Sequence, residues 1–137
     1  MTDLTTNFAG IELRNPVLLA SGTCGYGEEL APFLDLARLG GIVTKTITPQ
    51  PRVGNAPPRI VETAAGMLNS IGLQNPGLDG FVQDKWPYLA RLQTEIIVNI
   101  AAPTADLHRD MSARLEDVEG IAAIEVNISS PNMKDGG

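Results

Sequence analysis

Short unbroken apolar runs alternate along this chain with longer segments whose apolar residues recur at helical spacing, a pattern that predicts strands alternating with helices. Residues 17–20 form the first buried run. Residues 28–39 follow as a predicted helix, with Leu30, Phe33, Leu34 and Leu36 broadly on one side. Gly40 and Gly41 can close that helix through a left-handed cap, and residues 41–44 then make a second buried strand ended by Lys45. Four prolines within 47–59 exclude a regular helix or central strand there and predict an excursion. Residues 60–68 predict a small hairpin that bends near Ala64, Ala65 and Gly66. A helical stripe at 78, 81, 82, 86, 89 and 92 spans residues 78–92, and Pro87 must kink it or start a fresh turn. A third strand at 95–98, ended by Asn99, precedes a helix over 106–118 with Leu107, Met111, Leu115 and Val118 on one face. The fourth strand covers 122–126 and is ended by Asn127.

Four strands, each followed by a turn and a helix where the chain is long enough, fit a parallel sheet covered by helices. A doubly wound sheet usually carries a glycine fingerprint after its first strand, and the glycines at 22, 25 and 27 have the wrong spacing for it. The expected architecture is therefore α/β, a TIM (β/α)8 barrel. A closed barrel takes about 250 residues, so residues 1–137 are read as the first four βα units, the N-terminal half of one barrel domain.

Composition narrows the function classes. With 43% hydrophobic and 19% charged residues, the chain has the balance of a folded globular domain. Its net charge of −6 opposes attraction to nucleic acid or to anionic lipid. No apolar run approaches the roughly 20 residues that span a bilayer, and the first residues lack the apolar core of a signal peptide; the expectation is a soluble, cytoplasmic protein. Cys24 is the only cysteine, so no internal disulfide and no cysteine-based metal site can form, and no metal is expected.

The candidate chemistry sits where strands end. In a barrel, ligand-binding residues lie where each strand meets its following loop, and Ser21, Lys45, Asn99 and Asn127 each directly follow a predicted strand. Singly, Ser21 can open a turn and the two asparagines can cap loops. Lys45 stands apart, because a lysine set in Val-Thr-Lys-Thr-Ile needs an anionic or carbonyl partner once partly buried. A cation there would stabilise negative charge on a reduced flavin or a bound carboxylate. The loop 69–77, Asn-Ser-Ile-Gly-Leu-Gln-Asn-Pro-Gly, mixes amides, a hydroxyl and backbone donors suited to the edge of a flat heterocycle, although the same residues also make ordinary turns. His108 lies on the polar side of its helix without a metal-spaced partner and is read as structural, and Cys24 as a buried filler.

Taken together, Val-Thr-Lys-Thr-Ile-Thr, Pro-Arg-Val-Gly-Asn-Ala-Pro-Pro-Arg, Asn-Ser-Ile-Gly-Leu-Gln-Asn-Pro-Gly and Val-Asn-Ile-Ser-Ser-Pro-Asn resemble the dihydroorotate dehydrogenases over essentially the whole chain. The opening Phe-Ala-Gly-Ile-Glu-Leu-Arg-Asn-Pro-Val-Leu-Leu-Ala-Ser-Gly-Thr looks like the catalytic subunit of the NAD-linked, cytosolic class. The resemblance implies a TIM barrel holding FMN, in which dihydroorotate gives a hydride to the flavin and a proton to a base, yielding orotate for pyrimidine synthesis. By position it implies flavin contacts from Ser21, Lys45, Thr46, Asn99 and Asn127. It implies substrate contacts from Lys45, Asn69, Ser70, Ile71, Gly72, Leu73, Asn127 and Asn132. It also implies a second subunit carrying FAD and an iron-sulfur cluster. The family's cytosolic forms place a cysteine base where this chain has Ser130, whereas its membrane-linked forms use serine; Ser130 is the expected catalytic base.

Half a barrel leaves two sheet edges and one sheet face open, and the phosphate of a barrel ligand commonly binds beside strands 7 and 8. The chain is accordingly expected to hold FMN poorly when alone. A fragment of a longer enzyme, an oligomer that closes a barrel with itself or a second chain, and a noncatalytic half-barrel interaction module are the three readings. A dihydropyrimidine dehydrogenase-like flavoenzyme is the alternative chemistry on the same fold.

Overall fold

The structure, a computed structural model, describes residues 2–128. Its centre is a parallel sheet in the order β3 (Leu18–Leu19), β4 (Gly41–Val43), β7 (Glu95–Ile100) and β8 (Ala123–Val126). Strands adjacent in the sheet follow the order of the chain, as in a TIM barrel. Alternation along the strands sends successive side chains to opposite faces. Ile42, Ile96, Val98 and Ile100 point to the helical side, where they pack with Leu78, Phe81, Trp86, Leu89, Met111 and Leu115 in one apolar core. Val43, Ile97 and Asn99 occupy the other face, and all three are buried. Central strand β7 reads as an almost continuous apolar run because it is covered on both sides.

The helical layer follows the sequence pattern with one exception. Helix α3 (Ala105–Glu116) starts at Thr104, whose Oγ1 accepts from the Leu107 amide at 3.3 Å, and it buries Met111 and Leu115. Ahead of β7 the helical segment comprises α1 (Gly77–Gly80), a π-helical stretch (Phe81–Lys85) and α2 (Trp86–Leu89). Pro87, lacking an amide hydrogen, starts a fresh turn there as expected. The helix predicted over 28–39 does not form. Turns closed by Leu30 and Ala31 amides onto the Gly27 carbonyl lead instead to a single 3-10 turn at Leu36–Arg38, capped by Asp35. Pro32 removes a donor in the middle of that stretch, and the expected stripe splits: Leu36 is buried whereas Phe33 is 86% exposed. Gly40 does not cap a helix either. A Cβ there would lie 1.9 Å from the Asn15 carbonyl oxygen, so glycine is needed for close approach of the backbone, which the 2.9 Å bond from Gly40 N to Val17 O secures.

Two hairpins flank the sheet. The pair β1 (Thr6–Phe8) and β2 (Ile11–Leu13), not anticipated from the apolar pattern, turns through Ala9 and Gly10, both at positive φ (51° and 93°) as a two-residue hairpin turn requires. The pair β5 (Ile60–Thr63) and β6 (Gly66–Asn69) matches the predicted hairpin, and all its residues are exposed. Its far end delivers the chain into the loop 70–73. The excursion 47–59 contains no helix, and its isolated bridges pair Ile47 with Ile100 and Arg52 with Asn75. Among the described residues no helix is long and apolar enough to cross a membrane.

Candidate active site

The carboxyl ends of the four parallel strands gather the residues singled out by sequence. At the end of β3, Ser21 Oγ donates to the Thr44 carbonyl at 2.8 Å, tying the first strand-end loop to the second. The Lys45 amide donates to Gly25 O at 2.8 Å, a second tie between the same loops. Asn99 lies inside β7 rather than after it, because the ladder continues to Ile100; its amide donates to Thr44 Oγ1 at 3.2 Å. Asn127 directly follows β8 and its amide donates to Ile100 O at 2.8 Å.

One local distortion shapes this rim. The Thr44 amide donates to Ile97 O, whereas the next bond from this strand to β7 runs from the Ile47 amide to Asn99 O. Regular parallel pairing would have used Thr46, so the stretch after β4 carries one extra residue, a bulge at Lys45–Thr46. Thr46 is buried and Lys45 half-buried within it. Bulges of this kind redirect side chains beside binding sites.

The electrostatics are unbalanced in a way that points to a ligand. Desolvation holds the Lys45 ammonium below the ordinary lysine range, and it makes no hydrogen bond or ion pair with a described residue. Asn99 is only 3% exposed; its Nδ2 donates to the Glu125 carboxylate, and its Oδ1 is buried without a hydrogen-bond partner among the described residues. Orphaned buried acceptors are rare because each carries its desolvation cost unrelieved. Asn99 Oδ1 can accept from an N–H or O–H donor of a ligand, and the Lys45 ammonium can complement an electron-rich or anionic group. No cluster of metal-binding side chains occurs among the described residues.

The loop 69–73 is held beside this rim by contacts that sequence reasoning missed. Asn75 is buried and acts as a two-sided clamp: its Oδ1 accepts from the amides of Thr48 (3.1 Å) and Gly77 (2.8 Å), while Nδ2 donates to Thr48 Oγ1 (2.9 Å) and Leu73 O (2.7 Å). Its backbone also exchanges two bonds with Arg52. Leu73 therefore sits at φ +52°, the left-handed region that non-glycine residues seldom adopt, with its carbonyl gripped by that amide. Gly72 needs its φ of +76°, and a Cβ there would press within 2.7 Å of the Asn55 side chain. Asn55 Nδ2 in turn holds Ser70 Oγ at 2.8 Å. Asn69 and Ser70 are exposed, Ile71 half-buried, and Gly72 and Leu73 buried. Glu125 also escaped the sequence reading, though its signal was present: one acid inside the apolar run 122–126. Ser130 and Asn132 lie outside the described residues.

His108, read as structural, is so placed: Nε2 accepts from the Ala102 amide at 3.1 Å while Nδ1 faces Thr104 O at 3.1 Å, pinning the loop after β7 to α3. Cys24 is buried among the apolar residues, as a filler would be.

Comparison with known proteins places these features in context. The family model described as dihydroorotate dehydrogenase matches residues 3–137. The chain is 58% identical over 129 residues to the "Dihydroorotate dehydrogenase B (NAD(+)), catalytic subunit" of Desulforudis audaxviator, covering 94% of this chain and 42% of that protein. It is 52% identical over 135 residues to the protein of the same description in Pelobacter propionicus, covering 98% and 44%. Among solved structures, the chain is similar to the dihydroorotate dehydrogenase of Eimeria tenella in complex with ferulenol, with a TM-score of 0.68, 28% identity, and coverage of 96% of this chain and 38% of that one. The chain thus spans under half the length of the curated relatives it matches.

Two outcomes test the site's physics. Replacing Asn75 by alanine strands the amides of Thr48 and Gly77, and chemical denaturation should show a loss of about 1–3 kcal/mol. Lys45 has a folded pKa below its unfolded value of 10.5, so its charge opposes folding at neutral pH, and that penalty fades as pH rises through the lowered value toward 10.5. Lys45→Met should therefore raise the urea midpoint at pH 7, with the advantage shrinking as pH approaches 10.5; an advantage that is constant or grows would contradict the burial of a charged ammonium.

Proposed function

Because this chain belongs to the dihydroorotate dehydrogenase family, as the match across residues 3–137 shows, we propose that it contributes the first half of an FMN-holding TIM barrel that oxidises dihydroorotate to orotate in pyrimidine biosynthesis. The observation that carries this reading is that the carboxyl rim of a parallel sheet holds a buried acceptor, Asn99 Oδ1, and a desolvated cation, Lys45, neither with a hydrogen-bond or ion-pair partner among the described residues. An isoalloxazine edge carries an N–H donor beside electron-rich carbonyl oxygens and so fits that donor and acceptor set. Ser21, Lys45, Thr46, Asn99 and Asn127 are the residues that would hold the flavin, and when bound it supplies the two-electron acceptor.

The remaining roles fall to this chain's own side chains. Oxidation of dihydroorotate removes a hydride from one ring carbon and a proton from its neighbour, leaving a ring double bond. Lys45, Asn69, Ser70, Ile71, Gly72, Leu73, Asn127 and Asn132 form the substrate's surroundings, and Ser130 accepts the proton. A serine hydroxyl holds its own proton far more tightly than a thiol, so the base works only with an acceptor or relay that takes that proton onward. The Lys45 ammonium complements the substrate carboxylate or the negative charge gathering on the ring. The description "catalytic subunit" of the relatives supports a partner subunit; as the reading's own extension, that subunit carries FAD and an iron-sulfur cluster and the assembly is cytoplasmic.

The test joins this chain to the C-terminal part of a curated relative and compares it with the 137-residue chain alone. The completed protein should bind FMN, turn yellow and be reduced by dihydroorotate in preference to dihydrouracil, whereas the chain alone should bind FMN weakly. A completed protein that stays colourless, or that prefers dihydrouracil, refutes the assignment. In the completed protein, Ser130→Ala should slow flavin reduction by dihydroorotate far more than it weakens orotate binding, and equal effects would reject Ser130 as the base.

A further inference from the structure

Asn99 can present either end of its amide to a ligand, and the two ends carry opposite hydrogen-bonding character. Its neighbour across the β7–β8 ladder is Glu125, paired with it in register. Ile124 packs toward the helical core, so strand alternation sends Glu125 to the opposite face, the one that Asn99 shares. An ionised carboxylate only accepts, so the bond from Asn99 Nδ2 to Glu125 permits a single orientation of the amide. The carbonyl Oδ1 is thereby aimed away from Glu125, buried and without a partner among the described residues.

From this geometry we propose that Glu125 is a positioning residue: it fixes the Asn99 amide so that Oδ1 is a ready acceptor for an N–H or O–H donor of the bound ring. The inference rests on the flavin reading for the identity of that donor, but the grip of Glu125 on Asn99 does not. Glutamine at 125 keeps the size and removes the constraint, since its amide either donates or accepts. Half of the resulting arrangements would present the Asn99 NH2 group to the ligand's own donor.

Two measurements separate the layers of this proposal. In the 137-residue chain, amide-resolved NMR should show one Asn99 side-chain N–H shifted and protected from solvent exchange, and Glu125→Gln should erase that protection; unchanged signals overturn the proposal whatever the ligand. In the chain completed with the C-terminal part of a curated relative, FMN titration followed by flavin fluorescence should show about tenfold weaker binding in Glu125→Gln. Because Glu125 acts through Asn99, the double variant Asn99→Ala, Glu125→Gln should bind FMN no worse than Asn99→Ala alone. An equal loss in both backgrounds, or no loss in either, overturns the positioning role. If the completed wild-type protein takes up no FMN, the flavin reading fails while the exchange measurement still decides what Glu125 does.

Discussion

Register between β4 and β7 is the constraint from which the rest of this structure follows. Side chains on a strand alternate between faces, so a slip of one residue would turn Val98 and Ile100 out of the helical core and push Asn99 into it. Burying an amide among Phe81, Leu89 and Leu115 without partners would cost several kcal/mol on the scale of about 2–7 for such transfers. The apolar helical face therefore locks Asn99 onto the opposite face, and Glu125 arrives beside it through the next ladder. Only after this alignment is secured does the bulge at Lys45–Thr46 depart from it, where β4 has already contributed Ile42 to the core. The distortion thus sits where it can redirect a side chain without disturbing the packing below.

Local costs accumulate at that same end. A left-handed leucine, a desolvated ammonium and a buried carbonyl oxygen without a partner among the described residues each oppose stability, and all belong to strand-end loops or the last residues of a strand. The helical side carries one such cost of its own, the Tyr26 hydroxyl, buried in the apolar cluster without a hydrogen-bond partner among the described residues. Strain of this kind persists only where the surrounding structure maintains it. Asn75 is the principal surrounding support, because one buried amide closes the excursion 47–55 onto the loop 69–77.

How much of this was legible depended on whether the determining physics is local. The four core strands were found from apolar runs, and α3 from its stripe, because burial on a fixed face imprints a period on the sequence. The helix expected over 28–39 does not form because Pro32 interrupts the stripe that predicts it. The β1–β2 hairpin was missed because strands of three residues are too short to show a period. Strand-end polar residues were visible as a set, since the parallel topology puts all carboxyl ends on one rim. Which contact supports which was not visible: Asn75 reads as a turn asparagine, and Glu125 as a surface acid, until the register sets each beside its partner.

The same register explains why the site is more complete on one side than the other. β4 and β7 are flanked by strands on both sides, and Val43, Ile97 and Asn99 are buried on the face opposite the helices. β8 has a single neighbour among the described residues, and Glu125 and Val126 on it are exposed. Lys45 and Asn99 are consequently held by a finished part of the sheet, while the β8 side relies on whatever packs next to it. The Asn99–Glu125 bond spans that boundary, so it couples the amide that faces a ligand to the strand whose packing is least complete. Whatever packs on the open side of β8 therefore bears on the Glu125 carboxylate and, through their hydrogen bond, on the Asn99 amide.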